Sequence, residues 1–88
     1  MEFKVAARRF MDEFGTCRQF HYYVTVDYEE SPHFFCENYG VHIMEDSGGE
    51  ATIRSITPSS TRIDELITLL VEHLVGPTTL ADVVADWL

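Results

Sequence analysis

Only two cysteines, Cys17 and Cys36, occur in the 88 residues of this chain, too few for the disulfide framework of a small secreted scaffold. No stretch approaches the roughly 18 uninterrupted apolar residues that a membrane-spanning helix needs. No N-terminal run combines a basic start, an apolar centre and a small-residue cleavage site as a signal peptide does. A glycine-rich phosphate loop is also missing, since Ser47-Gly48-Gly49 reads as a hairpin turn. Positive charge is scarce: six lysines and arginines stand against fifteen aspartates and glutamates, a net charge of −9. A surface that acidic repels phosphate and argues against ordinary nucleic-acid binding. These absences imply a reducing, cytoplasmic setting, with neither membrane nor nucleic acid among the expected partners.

What is present suits one small globular domain spanning residues 1–88. A chain this short buries only roughly 60% of its unfolded surface, and an apolar fraction of 45% makes a modest core feasible without staples. The charge is uneven. Residues 1–18 hold four cations against three acids, whereas residues 19–88 hold only Arg54 and Arg62 against twelve acids. That asymmetry reads as a solubilising surface, or as a face for a basic partner, including mimicry of a nucleic acid by the protein itself.

The clearest periodicity lies at the C-terminus. Ile63, Leu66, Ile67, Leu70, Val71 and Leu74 recur at i, i+3, i+4, i+7, i+8 and i+11, the apolar stripe of a helix over 60–75. Gly76 and Pro77 supply a stop. Thr79 and Asp82 have capping-box spacing ahead of a second helix over 79–88, with Leu80, Val83, Val84, Trp87 and Leu88 on its apolar side. The large terminal groups Trp87 and Leu88 are expected to be buried.

Upstream, residues 19–56 read as a β-meander. Phe20, Tyr22, Val24, Val26 and Tyr28 alternate with His21, Tyr23, Thr25 and Asp27, the period of a half-buried strand. A turn at Glu30–His33 leads to a second strand over 34–45, and the SGG turn leads to a third over 50–56. Connections so short make the pairing antiparallel. Matching apolar residues across strands places Tyr28 opposite Phe35, Val24 opposite Tyr39, Tyr22 opposite Val41, Phe20 opposite Ile43, and Ile43 opposite Ile53. Glu37 is then a misfit on the apolar face, opposite Val26, as at an edge or bulge. Residues 1–18 support two readings. Phe3, Ala6, Ala7, Phe10, Met11 and Phe14 fit an amphipathic helix, which the periodicity favours, while Asp12–Thr16 could turn an extra strand back into the sheet. The resulting expectation is an α+β fold: an antiparallel meander of three or four strands with two C-terminal helices packed on one face.

Candidate sites are few. Cys17-x3-His21 and His33-x2-Cys36 resemble a zinc spacing, but residues 17 and 21 of an extended strand lie about 13 Å apart, too far to share a metal. The same register puts Cys36 opposite Asp27, too far from Cys17 for a disulfide. No metal or other cofactor is expected. The register also sets His21 opposite His42 and His42 opposite Arg54, a row flanked by Tyr23, Met44 and Gln19 on the face away from the helices. Such a row is a candidate anion-contact or interaction surface, formed by His21, Tyr23, His42, Met44 and Arg54. Ser59, Ser60 and Thr61 sit where a helix start wants hydroxyl caps. His73 has no evident partner, and the pairs Glu29-Glu30 and Asp64-Glu65 occupy a turn and a first helical turn, where acids are favourable. No catalytic constellation emerges, and no enzyme is expected.

The segments Tyr22-Tyr23-Val24, Tyr39-Gly40-Val41, Ile56-Thr57-Pro58, Arg62–Leu66 and Gly76–Val84 resemble a family of small acidic proteins of Firmicutes-type bacteria, an uncharacterised domain. The resemblance covers about residues 20–88 and is most specific in its Pro-x-x-Leu-x-Asp-Val-Val end. It implies a free-standing bacterial cytoplasmic protein with no catalytic residues to carry over, and it leans toward the strand reading of the N-terminal segment. The function expected is a non-enzymatic protein-interaction or regulatory module able to self-associate. The alternative is an acidic inhibitor or nucleic-acid mimic on a basic partner surface, and a small-molecule binder using the His–Arg face ranks third.

Overall fold

In a computed structural model that describes the backbone of all 88 residues and every side chain except those of Ser31 and Phe34, short connections produce a meander. Strands β1 (Glu2–Met11), β2 (Cys17–Ser31), β3 (Phe34–Glu45) and β4 (Glu50–Thr57) precede helices α1 (Ser60–Glu72) and α2 (Leu80–Trp87). The strands form one antiparallel sheet in the order β1-β2-β3-β4. The fold is therefore α+β, with both helices at the C-terminus. Among the described residues no helix is long and apolar enough to cross a membrane.

Residues 2–11, whose spacing favours a helix, form a strand instead. A bulge between Lys4 and Ala6 shifts the β1–β2 register, so Phe3 and Ala6, three apart, come to share a face. The bulge thus imitates part of a helical period. The turn is held by Asp12, whose Oδ1 accepts from the N–H groups of Phe14 and Thr16 at 2.9 Å each, and by Gly15 in the left-handed region at φ 78°. Phe10 then packs on Phe20 with ring centroids 4.6 Å apart, and the Arg8 guanidinium donates to the Val71 carbonyl at 2.7 Å. The first contact ties the new strand to β2 and the second ties it to α1.

The β2–β3 register differs by two residues from the apolar matching, and so does the β3–β4 register over Val41–Met44, whereas Tyr39 opposite Thr57 keeps the expected one. Tyr22 lies opposite Ile43, Val24 opposite Val41, Phe20 opposite Glu45, and Tyr28 opposite Glu37. Ile43 faces Ala51, and Val41 faces Ile53. A slip of two leaves every side chain on its expected face, which is why the core survives the error. The β3–β4 turn closes through Gly48 N–H donating to Glu45 O at 2.9 Å, with Gly48 at φ 109°. Farther along, the register shifts between Tyr39 and Val41, where Ser55 takes φ 55°. Gly40 sits against that bulge. A Cβ there would run into the Ile53 carbonyl oxygen and lie 2.7 Å from Arg54 Cα.

The core lies between one sheet face and both helices. Tyr22, Val41 and Ile43 meet Ile63, Leu66, Ile67 and Leu70 of α1 and Leu80 and Val84 of α2. The Tyr22 hydroxyl donates to the Val75 carbonyl at 2.9 Å, which satisfies its polar end. Ser59 caps α1 by accepting from Arg62 N–H at 3.2 Å. The helix ends earlier than the Gly76-Pro77 stop suggests. Leu74 N–H donates to Val71 O and Val75 N–H to Leu70 O, a Schellman closure with Leu74, at φ 52°, in the position glycine usually takes. Gly76 has another job: the Phe20 ring lies over it, with Cζ 2.7 Å from where a Cβ would stand.

Two expectations for α2 fail. Thr79 has helical backbone angles and makes no side-chain cap. Its hydroxyl donates instead to Gly76 O at 3.4 Å. Leu88 is 74% exposed, and Trp87 is only half-buried, with the Arg62 guanidinium 4.3 Å above its ring.

Coverage by the helices is incomplete. The fifteen-residue β2 extends over roughly 50 Å at strand rise, in a molecule 54 Å long. The thirteen-residue α1 spans only about 20 Å. The far end of the β2–β3 hairpin is therefore an arm without helical cover.

Candidate functional site

The open sheet face carries the residues singled out in the sequence, in a different arrangement. With the register slipped by two, His21 lies opposite Met44, and His42 lies opposite Tyr23 on one side and Thr52 on the other. The continuous His21–His42–Arg54 row is not formed. His42 is buried at 8% exposure. Its ring stacks on Tyr23 with centroids 5.2 Å apart. Nδ1 stands 3.1 Å from Glu2 Oε2, and Nε2 stands 3.1 Å from Glu50 Oε2. Glu2 opens β1 and Glu50 opens β4, so this one imidazole links the two edge strands across the inner pair.

The other basic side chains of that face are matched in the same way. His21 Nε2 is 2.5 Å from Asp46 Oδ1, and Arg54 Nη1 donates to Asp27 Oδ1 at 3.1 Å. Each basic group on the row thus faces a carboxylate, which leaves none of them turned outward as a receptor for anions. Tyr23 and Met44 are half-buried and fill space between these pairs. Chemically the face behaves as a clasp. On the opposite, helix-covered face of the sheet, Arg18 bridges Asp12 and the buried Glu45.

The zinc-like residues are dispersed. Cys17 is opposite Met11, and Cys36 is opposite Glu29 rather than Asp27. Twelve residues of β2 separate Cys17 from Glu29, about 40 Å in an extended strand. Both thiols are free. Among the described residues no group of three or more histidine, cysteine, aspartate or glutamate side chains could hold a metal. Ser59 is spent on the α1 cap, and His73 is the exposed C-cap residue of the same helix.

Uncovered apolar side chains lie elsewhere. On the arm, Tyr28 and Phe35 are both more than half exposed and stack at 5.5 Å. Glu37, opposite Tyr28, is not the misfit its place on the apolar face suggests. It accepts the Tyr39 hydroxyl at 2.6 Å, and that bond, with some burial, holds the Tyr39 phenol above its ordinary value. On β1, Phe3, Val5 and Met11 are exposed, as is Phe14 in the turn after it. A groove of about 350 Å³ runs between β1 and α1, with Val5, Ala6, Ile67 and Val71 along it and Asp64 and Glu72 on the helix side. Sequence reading missed the groove because the helical reading of residues 1–18 left no edge strand to border it. The carboxylate partners Glu2, Asp27, Asp46 and Glu50 were missed because each depends on register.

Fold and surface together define a small α+β meander domain whose polar sheet face sets each basic side chain of the His–Arg row against a carboxylate and whose apolar side chains are uncovered on an arm and an edge. The chain belongs to the family of unknown function DUF6514, which matches it over residues 1–88. No curated protein and no solved structure matches it.

Proposed function

We propose that this protein is a non-enzymatic interaction module of the bacterial cytoplasm, which binds other protein chains through apolar side chains that its own fold leaves uncovered. One observation carries the reading. Tyr28 and Phe35 are stacked on each other yet more than half exposed, on an arm beyond the reach of the helices. Aromatic rings stacked on each other in water, with no element of the fold over them, offer a ready apolar contact surface. Self-association is part of the proposal. Tyr23 and Met44 lie on the open face whereas Phe10 packs on Phe20 beneath the helices, so the apolar side chains of β1 and of the open face do not form one patch.

A second reading draws on the same arm. Glu29 and Glu30 are exposed beside Tyr28, and the twelve acids after residue 18 suit an inhibitor or nucleic-acid mimic that occupies a basic surface. Salt separates the two. Sedimentation at low and high salt, with a pulldown from the native host at both, should show complexes that persist in high salt and are lost in the Tyr28→Ser/Phe35→Ser double variant. Complexes released by moderate salt and indifferent to those substitutions would replace the interaction module with the charge mimic.

A further inference from the structure

The edge of the sheet at β1 has three properties that converge on one kind of ligand. The first is backbone. Asp12 N–H donates to Thr16 O, and the register runs without interruption from Ala6 opposite Tyr22 to Met11 opposite Cys17. In an antiparallel ladder the bonded positions alternate. Ala6, Arg8 and Phe10 therefore bond to β2, and Ala7, Arg9 and Met11 turn their N–H and C=O groups outward from the edge of the sheet.

The second property is the groove. An added strand beside Ala6–Met11 would present alternate side chains to the two faces. Those on the helix side would enter the channel bordered by Val5, Ala6, Ile67 and Val71, which suits apolar groups. Asp64 and Glu72 stand on the α1 side of it and disfavour acids there. The third property is charge. Lys4, Arg8 and Arg9 make β1 cationic in a chain of net charge −9. Arg8 is engaged by the Val71 carbonyl, whereas Lys4 and Arg9 are exposed on the open-face side. Acids of an added strand belong beside them.

We propose that the outer edge of β1 takes up an extended segment of another protein that alternates apolar and acidic side chains, by strand addition, with the apolar side in the β1–α1 groove and the acidic side next to Lys4 and Arg9. This is the peptide-recognition mode in which main-chain bonds supply affinity and alternate side chains supply specificity. A second copy of this chain is not the occupant. Pairing two β1 strands would set Arg8 and Arg9 of one copy beside those of the other, and a charged edge is a common guard against such pairing. The proposal rests on the interaction-module reading only in taking the protein to bind other chains, since the edge and the aromatic arm are separate surfaces.

The probe is a short capped peptide alternating valine and glutamate, compared with a valine–lysine counterpart. Each is titrated into the full chain and followed by backbone amide NMR and fluorescence anisotropy. The glutamate peptide should bind at least about tenfold more tightly at low salt, with shifts concentrated in β1 and the facing side of α1. Ala7→Pro removes one outward N–H at an edge position where proline is tolerated, and should abolish binding while leaving the α1 and α2 resonances in place. Arg9→Glu, at an exposed side chain, should reverse the peptide preference, and it carries the test alone if Ala7→Pro does not fold. Equal binding of both peptides, or binding indifferent to both substitutions, overturns the proposal. A dimer of the free protein that Ala7→Pro dissociates also overturns it, because the edge would then belong to a second copy. Complexes lost in Tyr28→Ser/Phe35→Ser but kept in Ala7→Pro and Arg9→Glu, with no peptide binding, would leave the interaction module standing and remove the edge from it.

Discussion

At its root the β2–β3 hairpin holds Tyr22, Val41 and Ile43 with no exposed surface, while at its tip Tyr28 and Phe35 stand more than half in water. The alternation that selects these residues is the same along the whole hairpin. What differs is cover. Helices α1 and α2 are too short to follow a strand of fifteen residues, so one half of an apolar face becomes a core and the other half a surface. Binary pattern decides which way a side chain points, and only the lengths of the elements above it decide whether it is buried.

The comparison can be broken at the root. Leu66 is fully buried beneath the sheet, and Leu66→Ala should cost about 3–5 kcal/mol in chemical denaturation, a large share of the total for so small a domain. A cost below about 1 kcal/mol would mean that the root is no better packed than the tip. Gly40→Ala should come next. Its Cβ meets backbone atoms of Ile53 and Arg54 that no rotamer change can move, so about 2–3 kcal/mol is expected. Hydrogen exchange should show the loss first in β4.

Alkaline pH probes the same region. Burial, only partly offset by Arg8, pushes the Tyr22 phenol up to about 12 from 10.0. A group raised on folding stabilises fully below its unfolded value and loses that contribution as pH climbs to the folded one. Stability should therefore fall between pH 10 and 12. Tyr22→Phe should lose about 1 kcal/mol at neutral pH with its bond to Val75 O while flattening that alkaline decline, which urea titrations at several pH values would read. The smallest effect belongs to the tip. Tyr28→Ser with Phe35→Ser should change stability by less than about 1 kcal/mol while removing partner binding. A larger destabilisation would make the arm part of the core.

The helices were legible because their stripes and the Ser59 cap are local signals. The α1 end was misplaced at Gly76-Pro77 because a glycine before a proline looks like a stop, whereas Leu74 takes the left-handed turn and Gly76 makes room for Phe20. The Thr79 capping box failed for the complementary reason: a motif gives spacing, and the angles at Thr79 do not permit it. The exposure of Leu88 was not legible because nothing in a local pattern states how far the sheet extends beneath it.

By itself the sequence determined the antiparallel meander, the faces of β2 and β3 and the helical stripes. Turns and periodicities act between residues close in the chain, and a register slip of two changes no face. The tertiary structure alone decided the rest. Residues 2–11 are a strand rather than a helix because β2 offers an edge to pair with and because Val71 and Phe20 receive Arg8 and Phe10. His42 meets Glu2 across forty positions of sequence rather than His21, because ladder registers are set by whole turns and bulges. The aromatic tip is exposed because two short helices end before the hairpin does, and the cationic edge because β1 is the outermost strand of the sheet. Such outcomes depend on distances between elements, which no periodicity carries.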